Sequence, residues 1–190
     1  MRFYREIGDP QGQAATLGNI GAVYRAKGEL EPALSYHKEA LGLYQGVGNP
    51  QGQANQLNSI GMVYQTKGEL EPAVSCYEEA LGLYREIGDP QGQAATLGNI
   101  GAVYRARGEL EPALFSHQEA LRLYLEIGDL QGQANALGNI GLTYRAREEP
   151  EQALSYLREA QRLFQATEAK PQAFQMEEVI AKIKAELGAA

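Results

Sequence analysis

The chain has 190 residues, with 17 Lys and Arg against 24 Asp and Glu, a formal charge of −7 and a pI near 5.0. It therefore lacks the dense basic surface that a nucleic-acid backbone or an anionic membrane demands. Apolar residues at 44% and charged residues at 22% predict a packed domain rather than a disordered segment.

Self-similarity organises everything that follows. The run from Gly8 to Leu34 recurs from Gly88 to Leu114 with Lys27 changed to Arg107, and looser copies run from Gly48 to Val74 and from Gly128 to Leu154. The period is 40 residues. Residues 1–7 align with Leu81 to Ile87 and read as the remnant of a preceding unit's second helix. The opening Met1-Arg2-Phe3-Tyr4-Arg5-Glu6 has no apolar core of the kind a leader peptide carries. A missing neighbour would bare apolar surface at Phe3 and Tyr4. Self-association through this end, giving a homo-oligomer, is expected to cover it.

The first unit spans 8–47. Asp9-Pro10 supplies an N-cap and a first-turn proline. Ala14, Leu17, Ile20, Gly21 and Tyr24 then fall at helical spacing, and Gly28 ends the pattern as a C-cap does. Pro32 sits in the first turn of a second helix, where its missing N–H costs nothing. Ala33, His37, Ala40, Leu41 and Tyr44 form that helix's stripe. The connections are short enough to dictate antiparallel neighbours, and no stretch alternates with period two. The second unit (48–87), the third (88–127) and the fourth (128–167) repeat the pattern. Within the second, Cys76 is the one cysteine, which excludes an internal disulfide and a cysteine-based zinc site and reads as a small, half-buried filler. The fourth unit loses its turn wording, with Glu148-Glu149-Pro150 in place of Gly-Glu-Leu. The last segment, 168–190, opens on Lys170-Pro171 and carries Ala173, Met176, Val179, Ile180, Ile183 and Leu187 as one stripe, the pattern of a C-terminal capping helix and its tail.

A hairpin of this kind cannot bury its apolar faces alone, and stacking on neighbours is the solution. Gly21, Gly61, Gly101 and Gly141 recur inside the first helices at about 1 kcal/mol each in helix propensity, which predicts helices crossing where a side chain would clash. No apolar run approaches about 18 residues, so no transmembrane helix is expected. No Asn-x-Ser/Thr acceptor occurs. A cytoplasmic, reducing setting fits these features.

The recurring set Leu17, Ile20-Gly21, Tyr24, Gly28, Ala33, His37 and Ala40, echoed by Leu57, Ile60-Gly61, Tyr64, Gly68, Ala73, Tyr77 and Ala80 and by the third and fourth units, resembles the tetratricopeptide repeats. The 40-residue unit and its Gly-Asp…Gly-Gln…Leu-Gly-Asn-Ile-Gly wording are similar to the repeats of Leu-Gly-Asn-rich polarity adaptors and of bacterial repeat arrays. The resemblance implies an all-α, right-handed α-solenoid of antiparallel helix hairpins, a superhelix whose concave groove is lined by the first helices and recognises peptides. On a helical wheel the face opposite the Leu17 stripe carries Asn19 and Arg25. The same face carries Asn55, Asn58, Met62 and Gln65 in unit two, Asn99 and Arg105 in unit three, and Asn135, Asn139, Leu142 and Arg145 in unit four. Asn donates and accepts together and can hold an extended backbone. Arg grips carboxylates. Met62 and Leu142 offer apolar floor. A protein or peptide segment with acidic and apolar residues is the expected partner. Alternatively, Asn19, Asn99 and Asn139 serve backbone in the neighbouring hairpin.

No enzyme is expected, and no cofactor or metal. His37 and His117 occupy equivalent places two units apart and read as packing residues. Four helix spacings separate them by roughly 35–40 Å, too far to share a metal or a proton. Gly18-Asn19-Ile20-Gly21 lies within a helix and is no phosphate loop. Competing roles are a structural, self-associating module and a regulatory arm of a larger protein.

Overall fold

The computed structural model describes residues 8–188, which are helical apart from the turns. They form two compact units, the first ending at Asp89 and the second beginning at Pro90. The first unit holds α1 (Pro10–Ala26), α2 (Leu30–Gly46), α3 (Pro50–Lys67) and α4 (Leu70–Glu86). Each helix packs on the next, and α1 also touches α3. The second unit holds α5 (Pro90–Ala106), α6 (Leu110–Ile127), α7 (Leu130–Ala146), α8 (Pro150–Ala166) and α9 (Lys170–Gly188), packed in the same sequential way, with α5 touching α7.

The caps explain why helices start where they do. The carboxylate of Asp9 accepts from the Gly12 N–H at 2.9 Å, and Asn49 and Asp129 do the same for Gly52 and Gly132 at 2.9 Å. Helices α2, α4 and α6 have Glu at the cap with no side-chain bond. They rely on a proline in the first turn and on Glu31, Glu71 or Glu111, whose charge suits the positive helix end. At the other end Gly28 is left-handed at φ 79°, and the Glu29 N–H reaches back to the Tyr24 carbonyl at 3.0 Å, as in a Schellman closure. The irregular wording of the fourth unit does not alter this turn. Glu148 takes the left-handed conformation at φ 62°, and the Glu149 N–H still bonds the Tyr144 carbonyl at 3.0 Å.

Alanine lines the crossings. Ala14, Ala33 and Ala40 are fully buried, and so are Ala54, Ala73 and Ala80, and Ala94, Ala113, Ala134, Ala153 and Ala160. The recurrent first-helix glycines lie under second-helix side chains. A Cβ on Gly61 would stand 2.6 Å from the Tyr77 ring, one on Gly101 2.5 Å from the His117 ring, and one on Gly141 2.7 Å from Leu157. Gly52 and Gly132 play a matching part at the next contact, where a Cβ would meet Tyr44 at 2.3 Å and Tyr124 at 2.2 Å.

Two details depart from the periodic reading. Ile20 is half-buried and Val23 is 55% exposed, whereas Ile60 and Val63 are buried. Helix α3 has α1, α2 and α4 against it, while α1 has only α2 and α3 among the described residues. On α9 the buried set is Ala173, Met176, Ile180 and Ile183. Val179 is half-buried, and Leu187 and Phe174 are exposed, so the stripe is narrower than its apolar composition and one aromatic lies on the wet side. Phe3 and Tyr4 fall outside the described residues. Cys76 is half-buried, at the place where hairpin α1–α2 has Tyr36 stacked on Tyr24 with ring centres 5.3 Å apart.

Candidate functional site

The first-helix face opposite the apolar stripe is built by default. Once Ala14, Leu17 and Gly21 are turned into the hairpin, residues about half a turn away are left outward. Asn19, Asn55 and Asn135 are exposed. Arg25, Asn58, Met62, Gln65, Asn99, Arg105, Asn139, Leu142 and Arg145 are half-buried. None of the twelve is in the core. Ala15, Ala22 and Ala26 are also exposed, so the face carries little side-chain bulk around its amides.

In the first unit Asn19 and Arg25 lie on α1, and Asn55, Asn58, Met62 and Gln65 lie on α3. Second-helix tyrosines brace two of the amides. The Tyr84 hydroxyl donates to Asn55 Oδ1 at 2.7 Å, and the Tyr77 hydroxyl donates to Gln65 Oε1 at 2.8 Å. Gln51 adds a longer bond to Asn55 at 3.4 Å and one to the Asp89 carboxylate at 3.2 Å. Burial pushes the Tyr77 phenol up, and burial followed by the Asp89 charge raises Tyr84 to about 12. Both phenols stay protonated as donors.

In the second unit Asn99 and Arg105 lie on α5, and Asn135, Asn139, Leu142 and Arg145 lie on α7. The Arg105 guanidinium reaches the Asn139 carbonyl at 3.5 Å, and burial lowers its pKa. No carboxylate pairs with it among the described residues, so it is a partly desolvated cation without a counter-charge. Arg145 differs, since Glu186 of α9 pairs with it at 2.7 Å. Both ends of that pair are substantially exposed, which makes it worth at most about 1 kcal/mol. Beside Asn135 an open depression of about 540 Å³ is bordered by Gln91, Tyr124, Ile127, Asp129, Gln131 and Gly132.

The two histidines lie behind this face. His37 is 2% exposed, and its Nδ1 faces Gln56 Oε1 at 2.9 Å. Burial lowers its pKa, the Gln56 bond opposes this, and the Arg25 charge lowers it further. His117 is fully buried, and neither ring nitrogen has a hydrogen-bond partner among the described residues. Burial and then the Arg105 charge take its pKa down to about 4. The difference traces to one position of the repeat, which reads Thr16, Gln56, Thr96 and Ala136. Gln56 supplies an amide to the preceding second helix, and Ala136 cannot. Both rings are neutral packing groups. Among the described residues no set of three His, Cys, Asp or Glu side chains is grouped to hold a metal.

The wheel found the face but missed its supports. Tyr77, Tyr84 and Glu186 sit on other helices, and nothing in the first-helix periodicity points to them. Gln56 was legible as the one amide at its repeat position.

Residues 52–126 and 92–166 match a family described as Tetratricopeptide repeat, and residues 13–47 match a second model of the same description. The chain belongs to the tetratricopeptide repeat family. No curated protein matches it. Solved structures that share the fold include BtubC (BKLC) from P. vanneervenii, at TM-score 0.75 and 21% identity over 84% of this chain and 66% of that one. A Rap protein complexed with Competence and Sporulation Factor gives TM-score 0.82 and 17% identity over 93% and 50%. The apo form of RapI gives 0.85 and 15% over 99% and 73%. The tetratricopeptide chain thus spans about half to three quarters of those proteins. It is an all-α solenoid of helical hairpins, and no described helix is long and apolar enough to cross a membrane.

Proposed function

We propose that the chain is a protein-interaction scaffold that holds an extended or helical segment, bearing acidic and apolar residues, against its first-helix face. The observation that carries this is the chemistry of the face. Asn19, Asn99 and Asn139 recur at one repeat position, the second repeat carries Asn58 beside Ser59 there, and small residues lie between them. Arg25 and Arg105 stand half-buried beside them, and no carboxylate pairs with Arg105 among the described residues. A solvated helix face spends its positions on Glu and Lys. This one keeps a row of paired donor–acceptor groups and cations. A partly desolvated guanidinium gains most when a carboxylate arrives. Arg145 shows the mode within the chain, because Glu186 already sits on it at 2.7 Å. A Rap protein of the same fold is complexed with Competence and Sporulation Factor, which supports the fold's use in binding.

The test is an array of immobilised peptides in which Glu, Gln or Lys is set among Leu and Ala, probed with the wild-type chain, Arg25→Ala, Arg105→Ala and the Asn19→Ala/Asn99→Ala pair. Wild type should retain Glu-containing peptides, and each Arg variant should bind them about tenfold more weakly with its helical circular dichroism unchanged. Equal retention by the variants, or indifference to Glu, would remove this face from the function.

A further inference from the structure

Internal repetition gives the second unit a control for its own open depression. In the first unit, Gln51, Asn55, Tyr84 and Asp89 close into a network. The Asn55 carbonyl oxygen accepts from the Tyr84 hydroxyl at 2.7 Å and from Gln51 at 3.4 Å, and Gln51 also donates to Asp89 at 3.2 Å. Forty residues on, Gln91, Tyr124 and Asp129 are all retained, but Asn55 is replaced by Ala95. The consequences are visible. Tyr84 is 4% exposed, whereas Tyr124 is only half-buried. Gln91 no longer reaches the carboxylate, and the space opens as the depression of about 540 Å³. The Tyr124 ring is fixed in place, because it lies where a Cβ of Gly132 would be, at 2.2 Å. Asp129 spends one carboxylate oxygen on the Gly132 N–H at 2.9 Å. Its charge is close enough to join burial in raising the Tyr124 phenol.

We propose that this depression is a subsite for a primary carboxamide, the side chain of Gln or Asn in the bound segment, which takes the place that Asn55 fills in the first unit. Its carbonyl oxygen accepts from the Tyr124 hydroxyl and the Gln91 amide, and its NH2 donates toward Asp129 and Asn135. A carboxylate would offer the oxygen but would meet Asp129 as a like charge. An ammonium would suit Asp129 but would leave the Tyr124 hydroxyl without an acceptor. The inference rests on the first-helix reading above and adds to it one residue preference at one position.

The chain supplies its own variants. Ala95→Asn installs the side chain that hairpin α3–α4 already tolerates, and Tyr124→Phe installs the residue present at the matching Phe164. The full chain, isotope-labelled on its side-chain amides and tyrosine rings, is titrated with N-acetyl-glutamine methylamide and with the glutamate and lysine counterparts. The glutamine probe should move the Gln91, Asn135 and Tyr124 signals saturably, at least tenfold more tightly than either counterpart. Ala95→Asn should abolish the response, and Tyr124→Phe should weaken it about tenfold. The proposal is overturned by no saturable shift in wild type, by an undiminished response in Ala95→Asn, or by tighter lysine binding, which would make this a cation site. The peptide array with Arg25→Ala and Arg105→Ala reads the wider face separately. Arg-dependent retention of peptides with a silent glutamine probe therefore rejects the subsite alone.

Discussion

Two glycines on one helix should respond to the same substitution with opposite signs. Gly98 and Gly101 both lie within α5, so replacing either with Ala brings the same gain of about 0.8–1 kcal/mol in helix propensity. A Cβ on Gly98 would meet nothing within 4 Å, whereas one on Gly101 would lie 2.5, 2.6 and 2.9 Å from three ring atoms of His117. That ring is fully buried and cannot swing away, so the helices or the ring must shift. Overpacking of this kind costs about 1–3 kcal/mol. Gly98→Ala should therefore stabilise by up to about 1 kcal/mol. Gly101→Ala should end between neutral and about 2 kcal/mol destabilised, the two differing by about 1–3 kcal/mol. Urea unfolding followed by far-ultraviolet circular dichroism measures both midpoints. If Gly101→Ala rises alongside Gly98→Ala, the recurrent glycine is not a steric requirement, and the account of how these hairpins approach one another is wrong.

Glu148 holds a left-handed turn at φ 62° where its equivalents are Gly28, Gly68 and Gly108, so Glu148→Gly should raise the thermal midpoint through relief of about 1 kcal/mol; an unchanged midpoint would show that the turn is unstrained. His117 falls from an ordinary 6.5 to about 4 on folding, so between those values the unfolded chain takes a proton that the folded chain refuses. Stability is complete above pH 6.5 and drops as the pH falls toward 4, by at most about 3 kcal/mol. His117→Leu, the residue type that Leu157 supplies in the fourth hairpin, should flatten most of that slope in denaturant titrations at stepped pH, leaving what His37 contributes. Gln56→Ala strips His37 of its 2.9 Å partner and should cost about 1–3 kcal/mol, while Ala136→Gln offers His117 the same amide and should gain about 1 kcal/mol. Matching signs for that last pair, read from urea midpoints, would refute the idea that the two histidines differ only in their partner.

Much of this protein is determined by local sequence. The 40-residue period, Asp9 and Asn49 before Pro10 and Pro50, and Gly28 after the first stripe dictate where helices begin and end, because caps and left-handed turns depend on a few adjacent residues. The outward row in each unit, Asn19 to Gln65 in the first and Asn99 to Arg145 in the second, follows from the same periodicity, since a stripe turned inward leaves its opposite face outside. What the row does chemically depends on residues far away in the chain. Tyr84 and Tyr77 brace Asn55 and Gln65 from second helices, Glu186 occupies Arg145 from α9, and Arg105 has no carboxylate partner among the described residues. The unlike fates of His37 and His117 turn on Gln56 and Ala136, each nineteen positions further along the sequence. Periodicity assigns a side chain to a face. Only packing brings residues from separate helices within hydrogen-bonding reach, and burial, charge and ligand chemistry are properties of that meeting.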